Sequence, residues 1–418
     1  MIIHHPDKFV VDDHTVIWAK FEYEKENTNL PEILWFKIPN QYAHHLPLQN
    51  DAFLTSGLIA GMYLGEKVEV RGQVSPTLAY NLTDYQHALC SIYPKLVQPV
   101  EIKYETLKPI EENYGWVGAS FSGGADSMFT LWRHLPPNQL DPDFQVTHCL
   151  FIQGFDIGLN EAPKYRALFN QYKSELKKNN VELIDLETNL APLMVPHMDY
   201  TKFYNSILAS CVQIFGGYFK RFYLSSSRDF DQLDLQLTQG PLTDRLLSTD
   251  TLDLIHVGAT HSRVEKIRDF SDWDFAHRNL RVCNSIEVSE GYLNCGRCEK
   301  CVRTLIPIYS IGKMDKFKTF AKPLQANWEG LWWARKYVPP IHYGPEMVPF
   351  VKKYKKDFAP WIRAAVILGH IRYWIVKNIP QILKKALRRY GYFVDVRHWQ
   401  DDFEDPEIID YIETNYLS

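Results

Sequence analysis

The fold of this chain is decided by Trp116-Val-Gly-Ala-Ser-Phe-Ser-Gly-Gly-Ala-Asp-Ser127, in which an apolar run leads into a loop with two adjacent glycines. The apolar run predicts a buried strand, and residues 127–134 predict the helix that follows it. Adjacent glycines let the backbone turn sharply and bring its N–H groups close to a ligand. The positive end of the helix dipole also attracts anions. We therefore expect residues 122–127 to form a phosphate-binding loop.

Strands and helices alternate along the chain after this loop. Strand-like apolar runs recur at 145–152, 181–186, 221–225 and 252–257, with helical patterns at 161–178 and 203–219. Apolar strands separated by helices indicate a parallel sheet that is covered on both faces. We predict an α/β fold with a parallel five-stranded Rossmann-like sheet. Ligands of such sheets bind beyond the carboxyl ends of the strands, where the glycine loop falls.

The chain has 418 residues, a length that favours two or three domains. We expect a small α+β domain at 1–110, because strand-like runs at 33–38, 67–71 and 100–104 surround a helical stretch at 51–64. The main domain is predicted at 111–305, and a mostly helical region at 306–418.

The sequence predicts a cytoplasmic protein without a membrane span. Its first residues lack the apolar run of a signal peptide. The best candidate for a span, 364–383, contains His370, Arg372 and Lys377, each of which is costly inside a bilayer. An amphipathic helix packed on the protein body explains this segment better.

Polar side chains at fixed positions in the loop point to phosphate chemistry. The hydroxyl groups of Ser122 and Ser127 can donate hydrogen bonds to phosphate oxygens, whereas the carboxylate of Asp126 suits a Mg²⁺ ion that accompanies the phosphates. Neither a Walker motif nor a dinucleotide motif is present here. The alternative interpretation is a plain strand-to-helix turn.

The pattern Ser-Gly-Gly-x-Asp-Ser after an apolar strand resembles the PP-loop of the ATP pyrophosphatase superfamily, over roughly residues 115–305. The resemblance implies an adenine nucleotide α-hydrolase-like (HUP) fold with ATP and Mg²⁺ as cofactors. It also implies that a carboxylate or carbonyl oxygen is adenylated, that pyrophosphate leaves, and that a nucleophile then displaces AMP. The residues that it assigns to phosphate binding are Ser122, Gly123, Gly124, Asp126 and Ser127.

Four cysteines cluster late in the chain, at Cys283, Cys295, Cys298 and Cys301. Two Cys-x-x-Cys steps share Cys298, and four thiolates suit a closed structural Zn²⁺ site. Three alternatives remain open: unliganded core cysteines, an iron–sulfur cluster, and persulfide carriers of a sulfur-transferring enzyme.

The run from Cys295 to Arg303, Cys-Gly-x-Cys-x-x-Cys-x-Arg, resembles the zinc motif of the 7-cyano-7-deazaguanine synthase family. Members combine this motif with an N-terminal PP-loop and convert a carboxylate to a nitrile with ATP and ammonia. They are much shorter than this chain, which also has no clear equivalent of their deazapurine-recognition segment. A longer family with a comparable layout epimerises the terminal glutamate of a muramoyl dipeptide, and some antiphage-defence proteins share a related core.

Further charged residues fall near the predicted ligand edge. Arg263 and Lys266 follow the fifth strand with a spacing that places them on one face of a helix, where they could stabilise the leaving pyrophosphate. A solvated surface helix is the alternative for this pair. Asp156 follows the second strand and is a candidate contact for adenine or substrate. Arg281 and Arg303 flank the cysteines, and either bind a substrate carboxylate or pair with local acids.

These features favour an AMP-forming ligase that acts on a carboxylate or amide of a small molecule or peptide, with Asp126, Arg263 and Lys266 as catalytic residues. The net charge of −4 and the lack of an RNA-binding module argue against nucleic acid without excluding it. The alternatives are nucleobase or tRNA modification, an epimerase-like activity, and a non-catalytic component of antiphage defence or assembly. A homo-oligomer or a protein partner is compatible with the sequence.

Overall fold

The computed structural model describes residues 1–26, 28–191, 200–230, 240–283, 288, 290–324 and 344–378. Within this part, eleven strands form one sheet. The strands are β1 (Ile2–Ile3), β2 (Asp7–Val11), β3 (His14–Glu22), β4 (Ile33–Pro39), β5 (Val68–Val74), β6 (Ile102–Leu107), β7 (Trp116–Ser120), β8 (His148–Gln153), β9 (Glu182–Thr188), β10 (Phe219–Ser225) and β11 (Asp253–Val257). The helices are α1 (Asp51–Leu64), α2 (Pro76–Ile92), α3 (Ala125–Arg133), α4 (Ala162–Lys177), α5 (Tyr200–Gln213), α6 (Arg263–Phe270), α7 (Asp274–Asn279), α8 (Glu299–Ser310), α9 (Gly344–Tyr354) and α10 (Ala359–Asn378).

The sheet is mixed, so the prediction of a five-stranded parallel Rossmann-like sheet is wrong in its extent, although the α/β class is confirmed. Five neighbouring strands in the order β11-β10-β7-β8-β9 are parallel. At β9 the sheet continues, because β4 pairs with it antiparallel through Phe36–Thr188 and Lys37–Glu187. An open edge strand exposes unpaired backbone groups, and β4 satisfies those of β9.

The N-terminal residues extend the sheet from β4 through β3 and β1 to β5 and β6, with β2 paired to β3. The predicted helix at 51–64 is confirmed as α1, and the three predicted strands correspond to β4, β5 and β6. The first three strands and α2 were not predicted. The sheet and one hydrophobic core both cross residue 110, and the division of the chain at 110 and 305 stays a prediction.

Alternate side chains of the parallel strands enter two cores on opposite faces, as the period of a strand requires. Leu150 and Ile184 belong to the core that contains α1, α2 and α5. Cys149 and Leu183 belong to the core that contains α3, α4, α6 and α8. The C-terminal helix α9 joins this second core through Met347.

In the described part of the C-terminal region α9 and α10 are helical, whereas residues 311–324 form turns and bends after α8. The first fifteen residues of the segment 364–383 lie within α10. Among the helices that the structure describes, none combines the length and the apolar character needed to cross a membrane. Residues 325–343 and 379–418 lie outside the described part, and so do the predictions that fall on them.

Candidate functional site

The predicted phosphate loop, residues 122–127, follows the carboxyl end of β7 and includes the first three residues of α3. Gly123 has a φ of +75°, and a Cβ there would lie 2.3 Å from the Tyr172 hydroxyl, so this position requires glycine. The loop closes on itself: Ser127 Oγ accepts from the Ser122 N–H at 3.3 Å and donates to the Gly124 carbonyl at 3.1 Å. Helix α3 begins after Gly124, which provides no side-chain cap. The first N–H groups of α3 therefore lie next to the loop hydroxyls.

Asp126 joins the loop to α6. Its carboxylate contacts Arg263 Nη2 at 3.1 Å and Lys266 Nζ at 3.2 Å, one cation on each oxygen. The predicted placement of the two cations on one helix face is thus confirmed. Burial opposes ionisation of Asp126, but the charges of Arg263, Lys266 and Arg303 outweigh it and hold the pKa of this carboxyl below its usual value.

The two cations of α6 occupy different environments. Arg263 lines the cavity described below, and its Nε is buried without a hydrogen-bond partner among the residues that the structure describes. Lys266 is 1% exposed, donates a second hydrogen bond to the Ser226 carbonyl at 2.6 Å, and does not line the cavity. Geometry therefore places Arg263 where a ligand can reach it and makes Lys266 the buried support of Asp126.

A cavity of about 520 Å³ opens beside the loop. Five cationic side chains and two carboxylates line it, which makes it an anion-attracting site. Most of the predicted residues meet here, together with Arg228 and Lys300, which were not predicted. The charged residues of the cavity are Asp126, Asp156, Arg228, Arg263, Arg281, Lys300 and Arg303.

The lining of the cavity includes a group of cationic residues and a group of aromatic residues. Arg281, Lys300 and Arg303 line it together with Cys283, and Arg303 also contacts Glu299 at 3.6 Å. Asp156 lines the cavity with Phe155 and Tyr204, whose rings are 5.9 Å apart. The turn into Asp156 depends on Gly154, because a Cβ at Gly154 would lie 2.0 Å from the Thr188 carbonyl oxygen.

The C-terminal region supplies a residue that the sequence did not reveal. Glu346 on α9 accepts a hydrogen bond from the Arg263 backbone N–H at 3.0 Å, at the first turn of α6. A carboxylate stabilises this end of a helix through its unpaired N–H groups and its dipole. Burial raises the pKa of Glu346 to about 7, and the nearby Arg263 charge opposes the shift. No local motif could have shown this contact, which joins positions 83 residues apart.

The four predicted cysteines come together as a Cys₄ cluster in which all four sulfurs lie within 4.8 Å of one another. Cys283 and Cys298 are 3.7 Å apart and Cys295 and Cys301 are 3.9 Å apart. Sulfurs at 2.3 Å from one tetrahedral zinc ion would be separated by about 3.8 Å. The arrangement is therefore compatible with a single Zn²⁺.

The backbone around the cluster is arranged for thiolates. Cys295 Sγ accepts from the N–H groups of Arg297 at 3.4 Å and of Cys298 at 3.3 Å. Hydrogen bonds from the neighbouring thiols, Cys283 first among them, and from the Arg297 N–H lower the pKa of Cys295. Asn294 is fully buried, and its Oδ1 holds the Cys283 N–H at 3.1 Å. The two N–H donors to Cys295 Sγ stabilise the deprotonated form that binds a metal, whereas Asn294 fixes the backbone at Cys283.

Each oxygen of Asp126 pairs with one cation, and the predicted magnesium role of this residue stays a prediction. No family model matches this chain, and comparisons with curated proteins and with solved structures likewise find no match. The function therefore has to be argued from the residues of the cavity.

Proposed function

We propose that this chain is an AMP-forming ligase of the PP-loop type, which cleaves MgATP between its α and β phosphates to adenylate a carboxylate or amide oxygen. The observation that carries the proposal is the shared cavity of the glycine loop, Arg263 and the Arg281–Arg303 end. This cavity has a loop suited to phosphate and a second cationic subsite suited to a carboxylate. A transfer between ATP and a carboxylate needs both substrates bound next to each other.

The loop and Arg263 are the proposed site of the β and γ phosphates. The N–H groups at the start of α3 and the hydroxyls of Ser122 and Ser127 are donors suited to phosphate oxygens. Arg263 adds a guanidinium group whose Nε has no partner among the described residues. Its contact with Asp126 orients the guanidinium and keeps it from folding away from the cavity.

The proposed reaction begins when an oxygen of the second substrate attacks the α phosphorus. The bond from that phosphorus to the bridging oxygen breaks, and pyrophosphate leaves with the electron pair. Negative charge grows on the leaving group, so Arg263 would bind the transition state more strongly than the ground state. A nucleophile then displaces AMP from the adenylate. Lys266 acts in this scheme only by supporting Asp126.

Arg281 and Arg303 are the proposed site of the second substrate. Both are at least nine-tenths buried, and a buried guanidinium suits a carboxylate, which it can bind through two parallel hydrogen bonds. The Cys₄ cluster lies directly beside them, because Cys283 follows Arg281 by two positions and Cys301 precedes Arg303 by two. A bound Zn²⁺ would fix both segments and so hold the two arginines in place.

The experiment is the detection of nucleotide products by mass spectrometry, with MgATP and a panel of carboxylate metabolites and peptides. Formation of AMP and pyrophosphate in equal amounts supports the proposal. The Arg263→Gln variant should have a strongly reduced activity, whereas Arg268→Gln, on the same helix but outside the cavity, should keep the wild-type rate. Failure of the wild-type protein to bind MgATP, or release of ADP and phosphate in place of AMP, would overturn the proposal.

A further inference from the structure

A buried polar network lies behind the wall that α5 contributes to the cavity. Asn205 lines the cavity and is 3% exposed. Its Nδ2 donates to Asp244 Oδ2 at 2.7 Å, and the Nδ1 of His256 lies 2.7 Å from the same oxygen. The side chains of Asp244 and His256 are 1% and 2% exposed. The other Asp244 oxygen accepts from the Gly240 N–H at 3.4 Å. A buried carboxylate with three partners is costly to disturb, so the network holds Asn205 in one position.

The network also determines which end of the Asn205 amide faces a ligand. The Asp244 oxygen is an acceptor, so the amide must turn its NH₂ group towards it. The structure shows no hydrogen bond to the carbonyl oxygen of Asn205 among the residues that it describes. Rotating the amide would place its oxygen against the carboxylate and leave a buried acceptor pair without a donor. The cavity is therefore presented with a hydrogen-bond acceptor.

The surroundings of Asn205 are suited to a flat ring. Phe155 and Tyr204 line the same part of the cavity, and Leu208, one helical turn after Asn205, adds an apolar surface. Arg263 and Arg281 lie beside the phosphate loop, and Lys300 and Arg303 flank Cys301 of the Cys₄ cluster. We expect a nucleotide bound with its phosphates at the loop to direct its base towards Phe155 and Tyr204.

We infer that Asn205 is a specificity-determining residue, whose carbonyl oxygen accepts a hydrogen bond from the exocyclic amino group of adenine. The inference rests on the proposed function for the presence of ATP. A purine with a carbonyl at that position would place two acceptors against each other. The amide cannot rotate to accommodate it, because its NH₂ group is bound to Asp244. A binding site whose buried acceptor pairs with a donor of the ligand discriminates against a ligand without that donor.

The test compares the dissociation constants of ATP and inosine triphosphate, measured by calorimetry with Mg²⁺. Inosine triphosphate carries a carbonyl where adenine carries the amino group. The wild-type protein should bind ATP about tenfold to a hundredfold more tightly, in line with the penalty of leaving a buried polar group unpaired. The Asn205→Leu variant should reduce this ratio to nearly one. Asn138→Leu, an exposed asparagine outside the cavity, should leave it unchanged.

A second variant keeps the inference testable if Asn205→Leu fails to fold. Asn205→Ser withdraws the amide oxygen from the cavity, keeps a hydroxyl group in its place, and leaves His256 as a donor to Asp244. This variant should accept both nucleotides with similar affinity. A preference for ATP that survives in either folded Asn205 variant overturns the inference and leaves the proposed ligase function intact. Failure of the wild-type protein to bind either nucleotide overturns both.

Discussion

Removal of the Asp126 carboxylate should destabilise the protein as well as inactivate it. Lys266 is 1% exposed and has two partners, Asp126 Oδ1 at 3.2 Å and the Ser226 carbonyl. Two unit charges at this distance attract each other by about 5 kcal/mol at an effective dielectric constant of about 20. Breaking a buried ion pair by removing one partner costs about 3–5 kcal/mol. We expect Asp126→Ala to lower the free energy of unfolding by about this amount, a large part of the stability of a typical domain.

The assay is urea unfolding of a double-mutant cycle that comprises Asp126→Ala, Lys266→Met and both changes together. The double variant should recover most of the stability that Asp126→Ala loses, because it no longer buries an unpaired ammonium. As a matched control, Asp272→Ala removes a carboxylate that is 72% exposed and should cost less than about 1 kcal/mol. Additive effects in the cycle, or an Asp126→Ala variant as stable as the wild type, would refute the reasoning.

The same contacts predict a pH dependence. Burial raises the pKa of Asp126, but the surrounding cations lower it further, so the pKa in the folded state lies below the usual value. The stabilisation is therefore complete above the unfolded pKa of about 3.9 and is lost as the pH falls through the lower, folded pKa. Asp126→Asn should reduce the fall in the free energy of unfolding on acidification. An acid unfolding curve of unchanged slope would contradict this assignment.

Three further predictions concern the metal, the rate and the C-terminal helix. Elemental analysis should find one zinc ion per chain, and the Cys298→Ser variant should contain no zinc and melt at a lower temperature. Iron in the wild-type protein, or no metal at all, would contradict the zinc assignment. Arg263→Gln should slow pyrophosphate release on the order of a hundredfold, whereas the control variant Arg268→Gln should keep the wild-type rate. Equal rates in the two variants would mean that Arg263 has only a structural role. Because the pKa of Glu346 is raised from 4.5 to about 7, its contribution to stability falls as the pH rises through that interval. Glu346→Gln should weaken the pH dependence of the melting temperature, and an unaltered pH dependence would argue against the raised pKa of Glu346.

Periodicity identified the main elements of the parallel region because those strands are buried on both faces. Such strands are apolar at most positions and stand out from the amphipathic helices between them, as the runs at 145–152 and 181–186 do. The edge of the sheet could not be predicted in this way. The pairing of β4 with β9 joins residues about 150 positions apart, and its hydrogen bonds are made by the backbone, which leaves no pattern in the side chains.

By itself the sequence determined the short-range features of the site. Two glycines between a buried strand and a helix specify the loop, and the spacing of the cysteines specifies the Cys₄ cluster, because each depends on residues that are close along the chain. The helical period also placed Arg263 and Lys266 on one face. Only the tertiary structure decided that Arg263 reaches the cavity while Lys266 is buried, since that depends on how deeply α6 packs against the loop. The contacts of Glu346 and Asn205 were likewise decided by packing, because burial and hydrogen bonding are properties of the assembled chain and not of any single segment.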